Sequence, residues 1–195
     1  QDFGPVDVKS IQSEEHMSTR LAVGAGCYWG TEKYIKTFGK AVPGSILRTS
    51  VGFMGPPGSK ANPSYREVCT GKTGHVEVLE ADFADPQGIG RAVVYEQLLR
   101  HFFMFHDPTT MNRQGNDVGT QYRSGIYCYS GEDLREAEAS CKTYADKLKS
   151  AGYHPVTTEI LNAPEFYFAE TYHQQYLGRN PGGYCGLGGT GVRCG

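Results

Sequence analysis

The chain has 195 residues with 19 basic and 21 acidic side chains, a formal net charge of −2, and no long block of either sign. That balance leaves no electrostatic footprint for nucleic acid, and no apolar run approaches the roughly 18 residues of a membrane span. The length suits one large domain that buries about 70% of the surface its unfolded form exposes. Six cysteines without a C-x-x-C spacing then suggest neither a disulfide scaffold nor a zinc ribbon or thioredoxin-type dithiol.

The chain begins at Gln1, so a start methionine, and with it any leader, is expected to have been removed. The polar segment 1–18 has no signal-peptide apolar core, which leaves the compartment of a soluble protein, cytoplasmic or organellar, open. Leu21 to Ala25 reads as a buried strand, and Thr31 to Phe38 as a helix with Tyr34, Ile35 and Phe38 inward and a stop at Gly39. Ser45 to Phe53 is a second strand, followed by a loop from Gly55 to Lys60 and a short helix from Ser64. His75 to Phe83 alternates: Val76 and Val78 share one face, while Glu77 shares the other with Leu79, Ala81 and Phe83.

Val93, Val94, Leu98, Phe102 and Phe105 recur at helical spacing between Gly90 and Phe105, and Asp133 to Lys149 forms another helix ended by Gly152. Ile126 to Tyr129 and Tyr153 to Leu161 supply further strands. After Leu177 the composition changes: residues 178–195 hold eight glycines in eighteen positions, too many for regular structure. Strands and helices alternate without a strict repeat. The expected fold is therefore α+β, a two-layer α/β sandwich with a mixed sheet and a ferredoxin-like core, spanning 19–177 between an extension, 1–18, and a flexible tail, 178–195.

The stretch AGCYWG, Ala25 to Gly30, places the single tryptophan beside a cysteine at a strand-to-helix turn. There the unpaired N–H groups of the helix start favour a thiolate and lower the Cys27 pKa. Gly26 and Gly30 permit a tight turn and close substrate approach, and Tyr28 and Trp29 can wall an apolar pocket. The competing reading is a buried cysteine in a packed aromatic cluster.

GCYWG, Asn62-Pro63-Ser64-Tyr65, Val68 to Glu77, His106-Asp107-Pro108-Thr109 and Asn112 to Ser124 together resemble, in order, the signature blocks of the peptide methionine sulfoxide reductase A family. The resemblance runs from about Leu21 to the end of the chain. It departs at Tyr28, where the family generally has Phe, and at Gly55-Pro56-Pro57-Gly58, which replaces a simpler glycine turn. It implies thiol-dependent reduction of methionine S-sulfoxide without a cofactor, by a monomer acting on oxidised proteins and peptides. Cys27 would be the nucleophile and Glu77 the acid, with Tyr65 and Tyr122 bonding the sulfoxide oxygen, Tyr28 and Trp29 holding the methyl group, and Asp117 binding water or substrate backbone.

The reading of Glu77 from its neighbours agrees in part, because a carboxyl among Leu79, Ala81 and Phe83 is desolvated and keeps its proton near neutral pH. By the same resemblance, Cys185 resolves a Cys27 sulfenic acid, Cys194 attacks Cys185, and thioredoxin reduces the last bridge. Four of the eight residues between Cys185 and Cys194 are glycine, so the tail can fold back to close a disulfide. Cys69, Cys128 and Cys141 read as packing or surface residues, and His75, His106 and His173 as hydrogen-bonding or core residues. Two rivals remain: a zinc-stabilised binding module using Cys185, Cys194 and His173, and a thiol hydrolase pairing Cys27 with a histidine base.

Overall fold

The computed structural model describes residues 19–194; the extension 1–18 lies outside the described residues. In chain order the elements are β1 (Arg20–Ala25), α1 (Tyr28–Ala41), β2 (Ile46–Met54), α2 (Tyr65–Cys69), β3 (Val76–Phe83), α3 (Arg91–Phe105), β4 (Arg113–Gln114), β5 (Asp117–Val118), β6 (Ser124–Cys128), α4 (Gly131–Ser150), β7 (Glu159–Asn162), β8 (Phe166–Phe168) and α5 (Tyr176–Arg179). Six strands form one sheet in the order β7-β6-β1-β3-β2-β8, antiparallel except for the parallel pair β6 and β7. Its middle, β6-β1-β3-β2, is the order of a ferredoxin-like split βαβ core. The α+β class and the mixed sheet agree with the expected fold.

The helices lie on one face. Ile35 and Phe38 of α1, and Leu98, Phe102 and Phe103 of α3, pack with Leu79, Ala81 and Phe83 of β3 in one core, while Val76 and Val78 join Ala22, Met54 and Tyr127 in a smaller cluster on the other face. The alternation of β3 thus sorts its side chains as expected, with both faces buried. Each fully buried Leu or Phe contributes about 1.5–3 kcal/mol. Val93, expected on the α3 stripe, is 45% exposed, and Tyr95 and Leu99 are buried instead.

Three elements differ from expectation. Helix α1 begins at Tyr28, directly after Cys27. The strand expected over Tyr153 to Leu161 is confined to β7, because Pro155 cannot donate to a ladder and Thr157 N–H bonds the Pro108 carbonyl instead (2.8 Å). The edge strand β8 has three residues, too few for its period to show. The short helix α2 is set by a capping box, in which the Ser64 hydroxyl accepts from Glu67 N–H while the Glu67 carboxylate accepts from Ser64 N–H.

The turn from β1 into α1 fixes everything at Cys27. Gly26 sits at φ 91°, and a Cβ there would lie 2.6 Å from the Gln114 Cβ. Gly26→Ala combines an unfavourable left-handed residue with that clash, so a loss of about 2 kcal/mol or more is expected in urea denaturation. Wild-type stability in this variant would mean that the turn is not the constraint described.

Candidate active site

Cys27 stands at the N-cap position of α1, with its carbonyl accepting from Gly30 N–H (3.1 Å) and Thr31 N–H (3.3 Å). Its sulfur faces the N–H groups of Trp29 and Gly30, the arrangement expected to favour a thiolate. The outcome is the reverse: burial first, and the Glu77 carboxylate second, raise the thiol pKa well above its ordinary value, with Asp117 adding to the rise. The sulfur is buried, and two N–H groups do not offset desolvation plus two nearby carboxylates.

Glu77 reaches the same helix start from β3. It pairs with Phe53 in register, is 1% exposed, and its Oε2 accepts from Tyr28 N–H at 3.1 Å. Burial raises its pKa to about 8, Asp117 adds to the rise, and the Tyr28 N–H bond opposes it. The carboxyl therefore holds a proton at neutral pH, as its apolar neighbours predict. Thiol and carboxyl share one helix terminus: the first N–H bonds the acid, the next two lie toward the sulfur, and the Gly30 N–H also bonds the Cys27 carbonyl.

Tyr65, the first residue of α2, and Tyr122, in a 3₁₀ turn over Thr120–Tyr122, both feel the Glu77 charge. Burial is the leading cause that raises each phenol, followed by Cys69 for Tyr65 and by Glu77 for Tyr122, so both remain donors. Asp117, on β5, is raised by burial while the Tyr184 hydroxyl opposes the rise. These groups meet around Cys27, although their residues are spread from 27 to 184.

An aromatic wall closes one side. Trp29 Nε1–H donates to His173 Nδ1 (3.2 Å), and Tyr176 stacks on the indole at 3.8 Å between ring centroids. His173 also lies 4.4 Å from the Tyr65 ring and 5.5 Å from the Tyr28 ring. Tyr28 is enclosed, and its hydroxyl has no hydrogen-bond partner among the described residues. Of the two aromatic residues expected to hold a methyl group, Trp29 therefore keeps the accessible surface. His173 takes the hydrogen-bonding role expected of it, but the stacking of Tyr176 was not signalled: Gln174-Gln175-Tyr176 has no periodicity to separate it from thirteen tyrosines.

The tail lies against this site. A Cβ on Gly30 would meet Leu187 Cδ1 at 2.7 Å and Cys185 Sγ at 3.1 Å, so the space expected to admit substrate beside Gly30 is filled by the tail. Further along, Tyr144 OH contacts Thr190 Oγ1 (3.0 Å) and donates to the Val192 carbonyl (3.1 Å), while Tyr153 OH donates to the Thr190 carbonyl (2.7 Å). Cys194 is buried beside Arg100, its Sγ 3.6 Å from the Arg100 carbonyl, and burial raises its thiol to about 11. Cys27, Cys185 and Cys194 are all free thiols. Cys69 is exposed, Cys128 is buried beside Tyr95 OH (3.9 Å), and Cys141 is half-buried. No three His, Cys, Asp or Glu side chains among the described residues converge as metal ligands. Nor is any described helix long and apolar enough to cross a membrane.

The family model described as peptide methionine sulfoxide reductase matches residues 19–190. The chain is 54% identical over 171 residues to peptide methionine sulfoxide reductase MsrA of Rhodospirillum centenum, covering 88% of this chain and 73% of that one. Among solved structures it is similar to methionine sulfoxide reductase A of Corynebacterium diphtheriae, with a TM-score of 0.72, 42% identity and coverage of 91% and 82% of the two chains. It is equally similar in fold to Mxr1 of Saccharomyces cerevisiae in reduced form, with a TM-score of 0.72, 35% identity and coverage of 91% and 94%.

The seat of the tail depends on Tyr144. In Tyr144→Phe the tail loses both contacts of that hydroxyl, each worth about 1 kcal/mol, and amide exchange over 190–194 is expected to speed by about tenfold or more. Unchanged exchange would show that the tail is held elsewhere.

Proposed function

Because this chain belongs to the peptide methionine sulfoxide reductase family, we propose that it reduces methionine S-sulfoxide in oxidised proteins and peptides, and in the free amino acid, as a repair enzyme. The observation that carries the reading is the protonated Glu77 carboxyl bonded to Tyr28 N–H at the helix terminus that also holds the Cys27 thiol. A sulfoxide sulfur becomes electrophilic as its oxygen takes a proton. Glu77 supplies that proton, Tyr65 and Tyr122 donate hydrogen bonds to the oxygen, and Trp29 packs on the methyl group. Asp117 takes the secondary role of holding water or substrate backbone.

Cys27 attacks the sulfoxide sulfur, the S–O bond breaks, and the oxygen passes to Cys27 as a sulfenic acid while methionine leaves. Methionine sulfur is reduced by two electrons and the cysteine is oxidised by two. The Cys185 thiol then displaces water from the sulfenic acid to form a Cys27–Cys185 disulfide, Cys194 attacks Cys185, and thioredoxin reduces the Cys185–Cys194 bridge. In this reading, 19–177 is the catalytic domain and 178–195 the recycling arm. Cys185 against Gly30 supports the first exchange; Cys194 in its seat beside Arg100 has to leave it for the second. Every group comes from one chain, so the reading needs no second copy.

The hydrolase rival has less support, since no histidine is among the leading influences on the Cys27 thiol from the described residues. The zinc-module rival needs Cys194 and His173 together, and they are engaged by Arg100 and Trp29 respectively.

Cys27→Ser is expected to abolish reduction with any reductant, and more than a few per cent of surviving activity rejects the assignment. Glu77→Gln keeps the shape and loses the proton, so single-turnover reduction is expected to slow by about 10²- to 10⁴-fold. With a carboxyl pKa near 8, the acid form is present below that value, and the wild-type rate of the reductive step falls as pH rises through it. That descending limb disappears in Glu77→Gln; a limb that persists assigns the proton to another group. Cys194→Ser is expected to complete one normal turnover and then accumulate the Cys27–Cys185 disulfide, which peptide mapping detects. A bridge to Cys69, Cys128 or Cys141 in the parent protein would reject the resolving pair.

A further inference from the structure

A groove of about 390 Å³ runs from the edge of Trp29 along the exposed side of α1, between Lys33, Lys36 and Lys40 on one side and Leu177 and Pro181 on the other. A second hollow of about 410 Å³ continues it toward β2, sharing Lys36, Lys40 and Gln175. Lys33 and Lys40 are exposed, and among the described residues neither forms an ion pair. Lys36 is half-buried and donates to Gln175 Oε1. Arg48, at the far end, is already matched by Asp82 at 2.8 Å.

The one carboxylate lining the groove interacts with Lys36 but pairs with neither Lys33 nor Lys40. Glu32 is 3% exposed, and its oxygens accept from Thr49 Oγ1 (2.9 Å) and Gln175 N–H (2.9 Å). The groove therefore has Leu177 and Pro181 along one wall, the exposed charges of Lys33 and Lys40, without ion pairs, along the other, and the indole of Trp29 in its lining. Lys33 and Lys40 are seven residues apart on the helix, a span of about 10 Å, which is the reach of about three residues of extended chain.

We propose that this groove binds an acidic stretch of the oxidised protein or peptide beside its methionine sulfoxide, so that the enzyme favours sulfoxides flanked by Asp or Glu. The proposal rests on the catalytic reading above, because Trp29 is the wall shared by groove and reacting centre. Charge complementarity selects the occupant: a peptide held at Trp29 by its sulfoxide side chain lays its neighbouring residues along the lysines. The contacts are exposed, so they act mainly on association and are screened by salt.

Three peptides test this, each with one methionine sulfoxide flanked on both sides by glutamate, glutamine or lysine, assayed with dithiothreitol beside the small substrate N-acetylmethionine sulfoxide. The glutamate peptide is expected to exceed the lysine peptide in kcat/KM by about tenfold at low salt, as several exposed charge contacts together allow, and to lose that lead near 0.5 M salt. Lys33→Glu with Lys40→Glu should reverse the order of the peptides while leaving the rate on N-acetylmethionine sulfoxide unchanged. Equal values for the three peptides, or a preference that survives both substitutions, overturns the proposal. A defect of the double variant seen with thioredoxin but absent with dithiothreitol also overturns it, since the groove would then serve the reductant. Failure to reduce N-acetylmethionine sulfoxide at all would instead reject the catalytic reading, so the two failures are distinguishable.

Discussion

One helix terminus organises the candidate site. The first turn of α1 offers a small set of unpaired N–H groups, and two side chains far apart in sequence compete for them: Cys27, at the cap itself, and Glu77, from the middle of β3. For both to arrive, β1 must stop sharply, and Gly26 at φ 91° provides that stop where a side chain would strike Gln114. The β1–β3 pairing then brings β3 alongside, and Glu77 reaches Tyr28 N–H from the face that also carries Leu79, Ala81 and Phe83. The core on that face is the rigid support that keeps thiol and carboxyl in fixed relation.

Second to this constraint is the way the tail is held. A chain with eight glycines in its last eighteen residues has a large conformational entropy to lose, yet it lies down along α1, α3 and α4. Specific close approaches explain its path. A Cβ at Gly189 would stand 2.0 Å from the Met104 carbonyl, and Gly30 gives room on the helix side for Cys185 and Leu187. The glycines therefore act as spacing residues as well as flexible ones, and the hydrogen bonds from Tyr144 and Tyr153 set where the tail stops. Such a seat, held by few contacts, is of the kind that opens locally without unfolding the domain.

Much of the framework was legible because it depends on short-range pattern. The alternation in β3 placed Glu77 on the core face, a short helix was legible from Ser64, helical periodicity found α3, and α4 was legible as a long run ended by Gly152. What escaped depends on long-range packing. Nothing around Tyr176 distinguishes it from other tyrosines until α5 folds it onto Trp29, and the three residues of β8 are shorter than any pattern can resolve. The Cys27 pKa illustrates the same limit. A helix start is visible in a sequence and argues for a lowered value, whereas the burial and the two carboxylates that reverse it come from elements some fifty to ninety residues away.

That reversal has a chemical consequence. A thiol held protonated is a poor target for chance oxidation, because the thiolate is the reactive form. Glu77 is itself kept neutral by burial, so the resting pair carries little net charge and pays no cost for two adjacent anions. In the proposed reaction a bound sulfoxide changes this balance through its oxygen: the oxygen takes the Glu77 proton as the bond to sulfur weakens, and the carboxylate left beside Cys27 is the acceptor for the thiol proton as the sulfur attacks. On that proposal, the thiolate needed for attack forms only when a sulfoxide occupies the site. Within one buried pocket, a high thiol pKa and a high carboxyl pKa are two expressions of the same desolvation, and in the proposed reaction they tie reactivity to the presence of substrate.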